Sequence, residues 1–567
     1  MADPHSFARK VVAQLQAVPR NIAASELPAY SYHGVAGNNN GSGDGQDNID
    51  NATNDAAVAA TDAAVAQFAT FSTPHTFRLG TGASQFASAM LPALLTAQHE
   101  ILLVTCFWAP SKSLSDLSAT LSRLATVRAS SSSSSPQRAQ RLRVRIGLSS
   151  RSLLQKLLHT SSRDGYIYPP SAWASQLGLP SPDVLSAGGI DLSVKSLFFL
   201  PFSVMHPKYV IVDRQRAFLP SCNVSWEPWL EGCVEVTGDV VGPLLSFHAQ
   251  TWGDDLPEWE PCQGEPQAAV EAEEAQNAAH NGTTAATALS PFEVGPLDVD
   301  GPGSIVVRFS PAAAPVPTVI LPSSHHRNPL FRPFPWQSYA PPPPTPLNLA
   351  ILQLFISATR HIYIQSPNLT AEAVIVAVLA ALARGVDVDI VTGERMMVYE
   401  QIVTAGTTTS RCVRSLVKRY SALLQQQQRQ QQQQEQAGHS DLGRLAISYY
   451  KPLGQVKKGP ADEEQAMLSL SSQPPQPSLP STVAPRTNSS GFAVDTEQPV
   501  QSHIKLTIVD GEHTVLGSGN MDRASFFTSQ ELGILFHSAT FAQAVQTAAD
   551  RVLDGRLKQV YPPLYAE

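Results

Sequence analysis

Two stretches decide the fold: 206-HPKYVIVDRQRAFLPSCNVSWEPWLEG-232 and 503-HIKLTIVDGEHTVLGSGNMDRASFFTSQELG-533. Four polar identities recur at one constant offset of 297 residues (206 to 503): His206 and His503, Lys208 and Lys505, Asp213 and Asp510, Asn223 and Asn520. A repeat this distant, embedded in a preserved apolar pattern, signals two halves of one architecture. In an extended strand His503, Lys505, Thr507 and Val509 point one way, and Ile504, Leu506, Ile508 and Asp510 the other. Imidazole and ammonium thus share a face. The aspartate lies across the strand near its end, which casts it as a structural acceptor. Asp510-Gly511 predicts a turn, 514-TVLG-517 the returning strand, and Asn520 a place on the loop beyond it.

These residue types suit phosphodiester chemistry. One imidazole can attack phosphorus to give a phosphohistidine while its partner protonates the departing oxygen. The partner can then deprotonate the incoming alcohol or water. Lysine neutralises the non-bridging oxygens and asparagine adds a donor. Two copies supply a complete site around one phosphate, so no cofactor and no metal is called for, and a monomer suffices. Glu231 and Glu531 are candidates for orienting the imidazoles through the other ring nitrogen. Their spacing differs, however: Glu531 follows Asn520 by eleven residues and Glu231 follows Asn223 by eight, so Glu227 or Glu235 could stand in the first half. Ser225 and Ser525 are candidates for a hydroxyl near the phosphate. Phe107 and Trp108, just past a strand end, are candidates for substrate contact, whereas Trp226 and Trp229 fit a pocket entrance or the core equally well. Among the other histidines, His248, His361, His513 and His537 gain nothing from this pattern.

Outward from the motifs, apolar strands alternate with helical periodicity. Residues 84–99 read as a helix feeding 101-ILLVTCF-107, Leu114–Leu124 as a second helix, and 142-LRVRIGL-148 and 195-KSLFFL-200 as strands. Further on, Leu347–Ala358 and Ala371–Ala383 read as helices, with 361-HIYIQ-365 and 386-VDVDIV-391 as strands and Gly385 as a helix stop. This succession predicts an α/β fold. Four polar or low-complexity segments, 36–55, 263–290, 425–436 and 464–490, read as length added without core. The expected organisation is an N-terminal helix and flexible insert (1–74), a first catalytic lobe (75–260), a low-complexity linker (261–299) and a second lobe (300–567). The second lobe is expected to carry disordered inserts near 420–440 and 456–495.

The duplicated His-x-Lys-x4-Asp with a following Gly-Ser-x-Asn resembles the phospholipase D superfamily, cardiolipin-synthase-like members included. The second copy, 503-HIKLTIVD-510 with 517-GSGN-520, matches throughout; the first, 206-HPKYVIVD-213 with 220-PSCN-223, places Pro220 where glycine is usual. The segments 84–109, 362–393 and 446–454 are similar to stretches flanking the motifs in that family. The resemblance implies two pseudo-symmetric lobes, each a mixed β-sheet flanked by helices, facing each other across a shared site. It also implies a phosphohistidine intermediate, and favours His206 as nucleophile and His503 as general acid and base.

Composition narrows the partners. The 567-residue chain carries 39 Lys+Arg against 47 Asp+Glu, a net charge of -8, which disfavours a basic nucleic-acid coat. Its five cysteines include no Cys-x-x-Cys and point to a reducing compartment. The first residues lack the pattern of a secretory signal and no apolar run is long enough to span a membrane, so an intracellular, cytoplasmic place is expected, with peripheral membrane contact left open. Residues 6–18 read as a short amphipathic helix. The expected substrate is a phospholipid, with water or an alcohol as acceptor. A nuclease or nucleic-acid-end phosphodiesterase is the alternative, and a non-catalytic phosphate- or lipid-surface-binding protein the third reading.

Overall fold

Strands buried on both faces read as continuous apolar runs, and such runs build the centre of this chain. In the computed structural model the described residues are 69–131, 141–152, 155, 164–199, 203–253, 290–296, 304–311, 313–325, 334, 341–433, 442–453 and 498–562. The N-terminal strands are β1 (Ala69–Gly80), β2 (Glu100–Phe107), β3 (Leu142–Ser150), β4 (Tyr166–Ile167), β5 (Ile190–Ser196), the small pair β6 (Phe198–Phe199) and β7 (Ser203–Val204), β8 (Tyr209–Val212), β9 (Arg216–Pro220), β10 (Glu231–Thr237), β11 (Phe292–Pro296) and β12 (Ile305–Phe309). The C-terminal strands are β13 (Val316–Ser324), β14 (His361–Ser366), β15 (Asp387–Thr392), β16 (Leu445–Tyr450), β17 (Leu506–Val509), β18 (His513–Gly517), β19 (Gln530–His537) and β20 (Leu557–Tyr561).

Apart from β6 and β7, all these strands join one mixed α/β sheet system. The pairings run β10-β9-β8-β2-β3-β5 in the N-terminal half and β19-β18-β17-β14-β15-β16 in the C-terminal half. In both series the last three strands are parallel and the others antiparallel. β1 ties the two series together: its first residues pair with β13 and its later ones with β10 and β12.

Period 2 divides the buried side chains between layers. From β8, Tyr209 and Ile211 enter a central core that also takes Leu506 and Ile508 from β17. Val210 and Val212 face the outer core of the N-terminal half, and Val509 that of the C-terminal half. The helices Val241–Trp252 and Ala539–Leu553 pack into the central core, Lys112–Ser131 into the N-terminal outer core, and Pro346–Ser357 and Glu372–Ala383 into the C-terminal one. The motif strands therefore lie between two cores, and the central one is built from both ends of the chain.

Several expectations are corrected. The strand expected over 195–200 is divided: Lys195 and Ser196 end β5 (Ile190–Ser196), where alternation between buried and half-buried residues is complete, and Phe198–Phe199 form β6. The glutamine tract, expected as a loop, is helical through Gln433 as part of Thr409–Gln433; glutamine is a good helix former, and the tract continues a helix anchored by the buried Val413, Leu416 and Tyr420. β1 begins at Ala69, and β12 pairs with its later residues and with β11. The N-terminal helix, the 36–55 insert, residues 263–289 of the linker and the 464–490 tract lie outside the described residues.

Candidate functional site

Each motif histidine enters the site on a short extended run just before its strand. His206 N–H donates to the Gln530 carbonyl at 3.0 Å and His503 N–H to the Leu230 carbonyl at 2.9 Å. Isolated bridges Met205–Gln530 and Leu230–Ser502 extend the same contacts. Each histidine thus docks beside the residue that precedes the other half's glutamate.

The side chains cross accordingly. His206 Nδ1 lies 2.9 Å from Glu531 Oε2, and His503 Nδ1 lies 2.8 Å from Glu231 Oε1. Each imidazole of one half is held by a carboxylate of the other, which leaves Nε2 as the ring nitrogen free for chemistry. Lys208 Nζ donates to the His206 carbonyl at 2.9 Å and Lys505 Nζ to the His503 carbonyl at 2.7 Å. Both lysines and both glutamates are buried.

The glutamates differ in their supports. Ser221 Oγ donates to Glu231 Oε2 and takes the Gly232 N–H at 2.9 Å. Ser518 Oγ does the same in the C-terminal half, with Glu531 Oε2 at 2.5 Å and Leu532 N–H at 3.0 Å. Glu531 alone gains a second hydroxyl, Ser525 Oγ at 2.7 Å from Oε1. The three extra residues between Asn520 and Glu531 explain it. They form part of the helix Arg523–Phe527, capped by Asp522, which receives the Ser525 N–H at 2.9 Å.

The electrostatics differ as well. Burial pushes the Glu231 carboxyl up to about 7, against the pull of Lys505 and the Ser221 hydrogen bond. Burial acts on Glu531 as well, but the His206 charge and the bonds from His206, Ser518 and Ser525 outweigh it and hold that carboxyl below its ordinary value. Burial lowers His206 despite Glu531, and lowers His503 well below its ordinary value with help from Lys505 and Lys208. The His206 side chain is 11% exposed and that of His503 1%, with the Trp229 ring 4.9 Å from the His503 ring.

The aspartates sit apart from this cluster. Asp213 accepts the N–H groups of Gln98, His99 and Glu100, each at 2.8 Å. Asp510 accepts those of Thr359, Arg360 and His361 at 2.8–3.0 Å. Both have left-handed backbones, φ 50° and 55°. Each thereby ties the turn after one motif strand to the entry of its neighbour, β2 or β14.

Asn223 Oδ1 accepts the Phe107 N–H at 3.2 Å, and Asn520 Nδ2 donates to Asp522 at 3.1 Å while its Oδ1 is buried without a protein donor. Ser225 is half-buried on the first loop. Phe107 and Trp108, expected to touch substrate, are both buried, 2% and 1% exposed. The Phe107 ring meets Trp226 edge-on at 5.8 Å, while Trp108 lies in the outer core and donates Nε1–H to the Leu177 carbonyl, because the chain past β2 turns it there. Glu235, an alternative to Glu231, instead pairs with Arg216 and Thr76. Ser221 and Ser518 were missed as carboxylate supports, although they share the 297-residue offset. Pro220 and Gly517 precede them at the same offset, and the serine geometry is alike after either. A cavity of about 20 Å³ beside Lys505, Asn520 and Ser525 has room for one water-sized group.

Comparison with known proteins bears on the C-terminal half. Residues 467–553, which include the second motif, match the family model described as cardiolipin synthase, PLD-like domain. A search of curated proteins finds no match. Among solved structures, the chain is similar to the phosphatidylserine synthase of Haemophilus influenzae Rd KW20, at 12% identity and TM-score 0.45 over 87% of this chain and 89% of that one. It is also similar to Nuc, a phospholipase D family member from Salmonella typhimurium, at 16% identity and TM-score 0.23 over 43% of this chain and 97% of that one. A third is the polyphosphate kinase of Porphyromonas gingivalis, at 10% identity and TM-score 0.37 over 83% of this chain and 46% of that one. Among the described residues no helix is long and apolar enough to cross a membrane.

Proposed function

We propose that the chain is a duplicated enzyme of the phospholipase D type, two pseudo-symmetric lobes sharing one site, that transfers a phosphatidyl group to an alcohol or to water. The observation that carries this reading is the crossed pairing of His206 with Glu531 and of His503 with Glu231, each beside a motif lysine. The phospholipid class is supported by the family described for residues 467–553. Such a substrate lies in a bilayer, so the enzyme would work at a membrane surface.

His206 is the nucleophile in this reading, because its imidazole is the more exposed and its carboxylate partner the better stabilised as an anion. Glu531 holds Nδ1–H, and Nε2 attacks phosphorus as the bond to the headgroup oxygen breaks. His503 gives its Nε2 proton to that oxygen. The negative phosphodiester beside it favours the protonated imidazole, against the burial that disfavours it. Next, the acceptor hydroxyl loses its proton to His503, its oxygen bonds to phosphorus, and the phosphorus–nitrogen bond breaks to return His206. Lys208, Lys505, Asn223 and Asn520 stabilise the non-bridging oxygens, with Ser225 at the rim of the same group; Ser525, expected beside the phosphate, instead gives its one proton to Glu531.

The test is product analysis with purified chain, labelled phosphatidylcholine or phosphatidylglycerol, a short primary alcohol, and EDTA present. A phosphatidyl alcohol that disappears with His206→Ala and with His503→Ala is the expected result. Folded protein that is silent on lipid but cleaves a labelled oligonucleotide would transfer the same chemistry to a nuclease. Silence on both would leave a phosphate-binding protein.

A further inference from the structure

At the far end of the β17–β18 hairpin, two histidines and a glutamate converge that take no part in the site above. His513 and His537 are directly opposed across β18 and β19, with ring centroids 4.4 Å apart and planes within 4°. Glu512 precedes His513, and its carbonyl accepts the Ser538 N–H at 2.8 Å, which locks its backbone to the end of β19. Arg360 lies 3.2 Å from Glu512 Oε1, leaving Oε2 turned toward His537 Nε2 at 3.7 Å.

We propose that Glu512, His513 and His537 form a binding site for a divalent transition-metal ion of the zinc type. One donor atom from each lies within 4.8 Å of the others. Zinc bonds of roughly 2.0–2.2 Å place nitrogen and oxygen donors closer than that, so the ion would draw the side chains together and tilt the two parallel rings toward it. Two imidazoles and one carboxylate select zinc, cobalt or nickel over magnesium and calcium. Glu512 is 46% and His537 23% exposed, so water completes the coordination.

The ion stands outside the reaction. Asp510 is five residues beyond Lys505, a run of roughly 17 Å at strand rise, and the cluster lies past it. Its role is to staple the end of β18 and β19 beside the turn that carries Asp510.

The test is a titration of the full, metal-stripped chain with Co²⁺, read from its visible ligand-field absorption, alongside melting curves with Zn²⁺. Wild type should develop the absorption of a low-coordinate nitrogen- and oxygen-ligated ion and melt at a higher temperature with Zn²⁺. His513→Ala and His537→Gln, each verified as folded by circular dichroism, should bind Co²⁺ at least ten-fold more weakly and show no Zn²⁺ effect on melting. His206→Ala should behave as wild type. A folded wild type without the absorption overturns the proposal. So does an absorption that persists in both cluster variants, or one that is lost in His206→Ala.

Discussion

At the residue scale, chemistry is separated by what holds each carboxylate. Glu531 has two serine hydroxyls and His206; Glu231 has one serine and His503. The Glu231 carboxyl binds its proton more tightly folded, at about 7, than unfolded, at 4.5. Its stabilising contribution is therefore whole below the unfolded value and falls as pH rises through that window. Relative to Glu231→Gln, wild type should lose melting temperature as pH rises from about 4.5 to about 7, which a pH series of thermal melts will check. A flat difference would remove the assigned burial effect. If the proposed reaction holds, His206→Ala and His503→Ala should each lower kcat by on the order of 10³–10⁴, measured as product release from folded protein.

At the element scale, the motif is a strand with a tied exit. Asp510 collects three N–H groups and the Thr359 hydroxyl, and hydrogen bonds to a charged group each contribute about 1.5–3 kcal/mol. Asp510→Ala and Asp213→Ala should each destabilise by about 2–3 kcal/mol in chemical denaturation. Chemistry per folded molecule should be retained; normal stability with lost chemistry would reverse the assignment. Gly517 has φ 140°, and an added Cβ would come 2.2 Å from the Leu532 carbonyl oxygen. Gly517→Ala should therefore cost upward of about 2 kcal/mol. Pro220, at the same offset, is buried and pairs with Cys233 within β9 and β10, so Pro220→Gly should destabilise by about 1–3 kcal/mol, through lost packing as well as a freer unfolded chain. Denaturation curves of both variants check the two losses.

At the scale of the whole molecule, the site is a joint between the ends of the chain. A double-mutant cycle of Glu531→Gln and His206→Gln should show a coupling of about 0.5–3 kcal/mol in thermal unfolding, whereas Glu531→Gln with His248→Gln should be additive. Additivity in the first cycle would mean that the crossed contact carries no energy.

Much of this was legible in the sequence. The identities at His206/His503, Lys208/Lys505, Asp213/Asp510 and Asn223/Asn520, and the alternation of strand and helix, follow from residue type and period, which are local properties of the chain. The turn at Asp510-Gly511 was legible for the same reason: positive φ is confined to few residues. The exchange of glutamates was not, because spacing along a chain says nothing about which half a side chain meets. The spacings of eight and eleven residues differ by the added helix Arg523–Phe527, which delivers Ser525. Trp108 was misread since aromatic character does not reveal the face a strand end presents, and the glutamine helix because composition conceals what an anchored helix can propagate. The sequence by itself determined the repeated polar groups and the α/β layering; only the tertiary structure decided their partners, since His206–Glu531 and His503–Glu231 exist through packing across a core shared by residues some 300 positions apart.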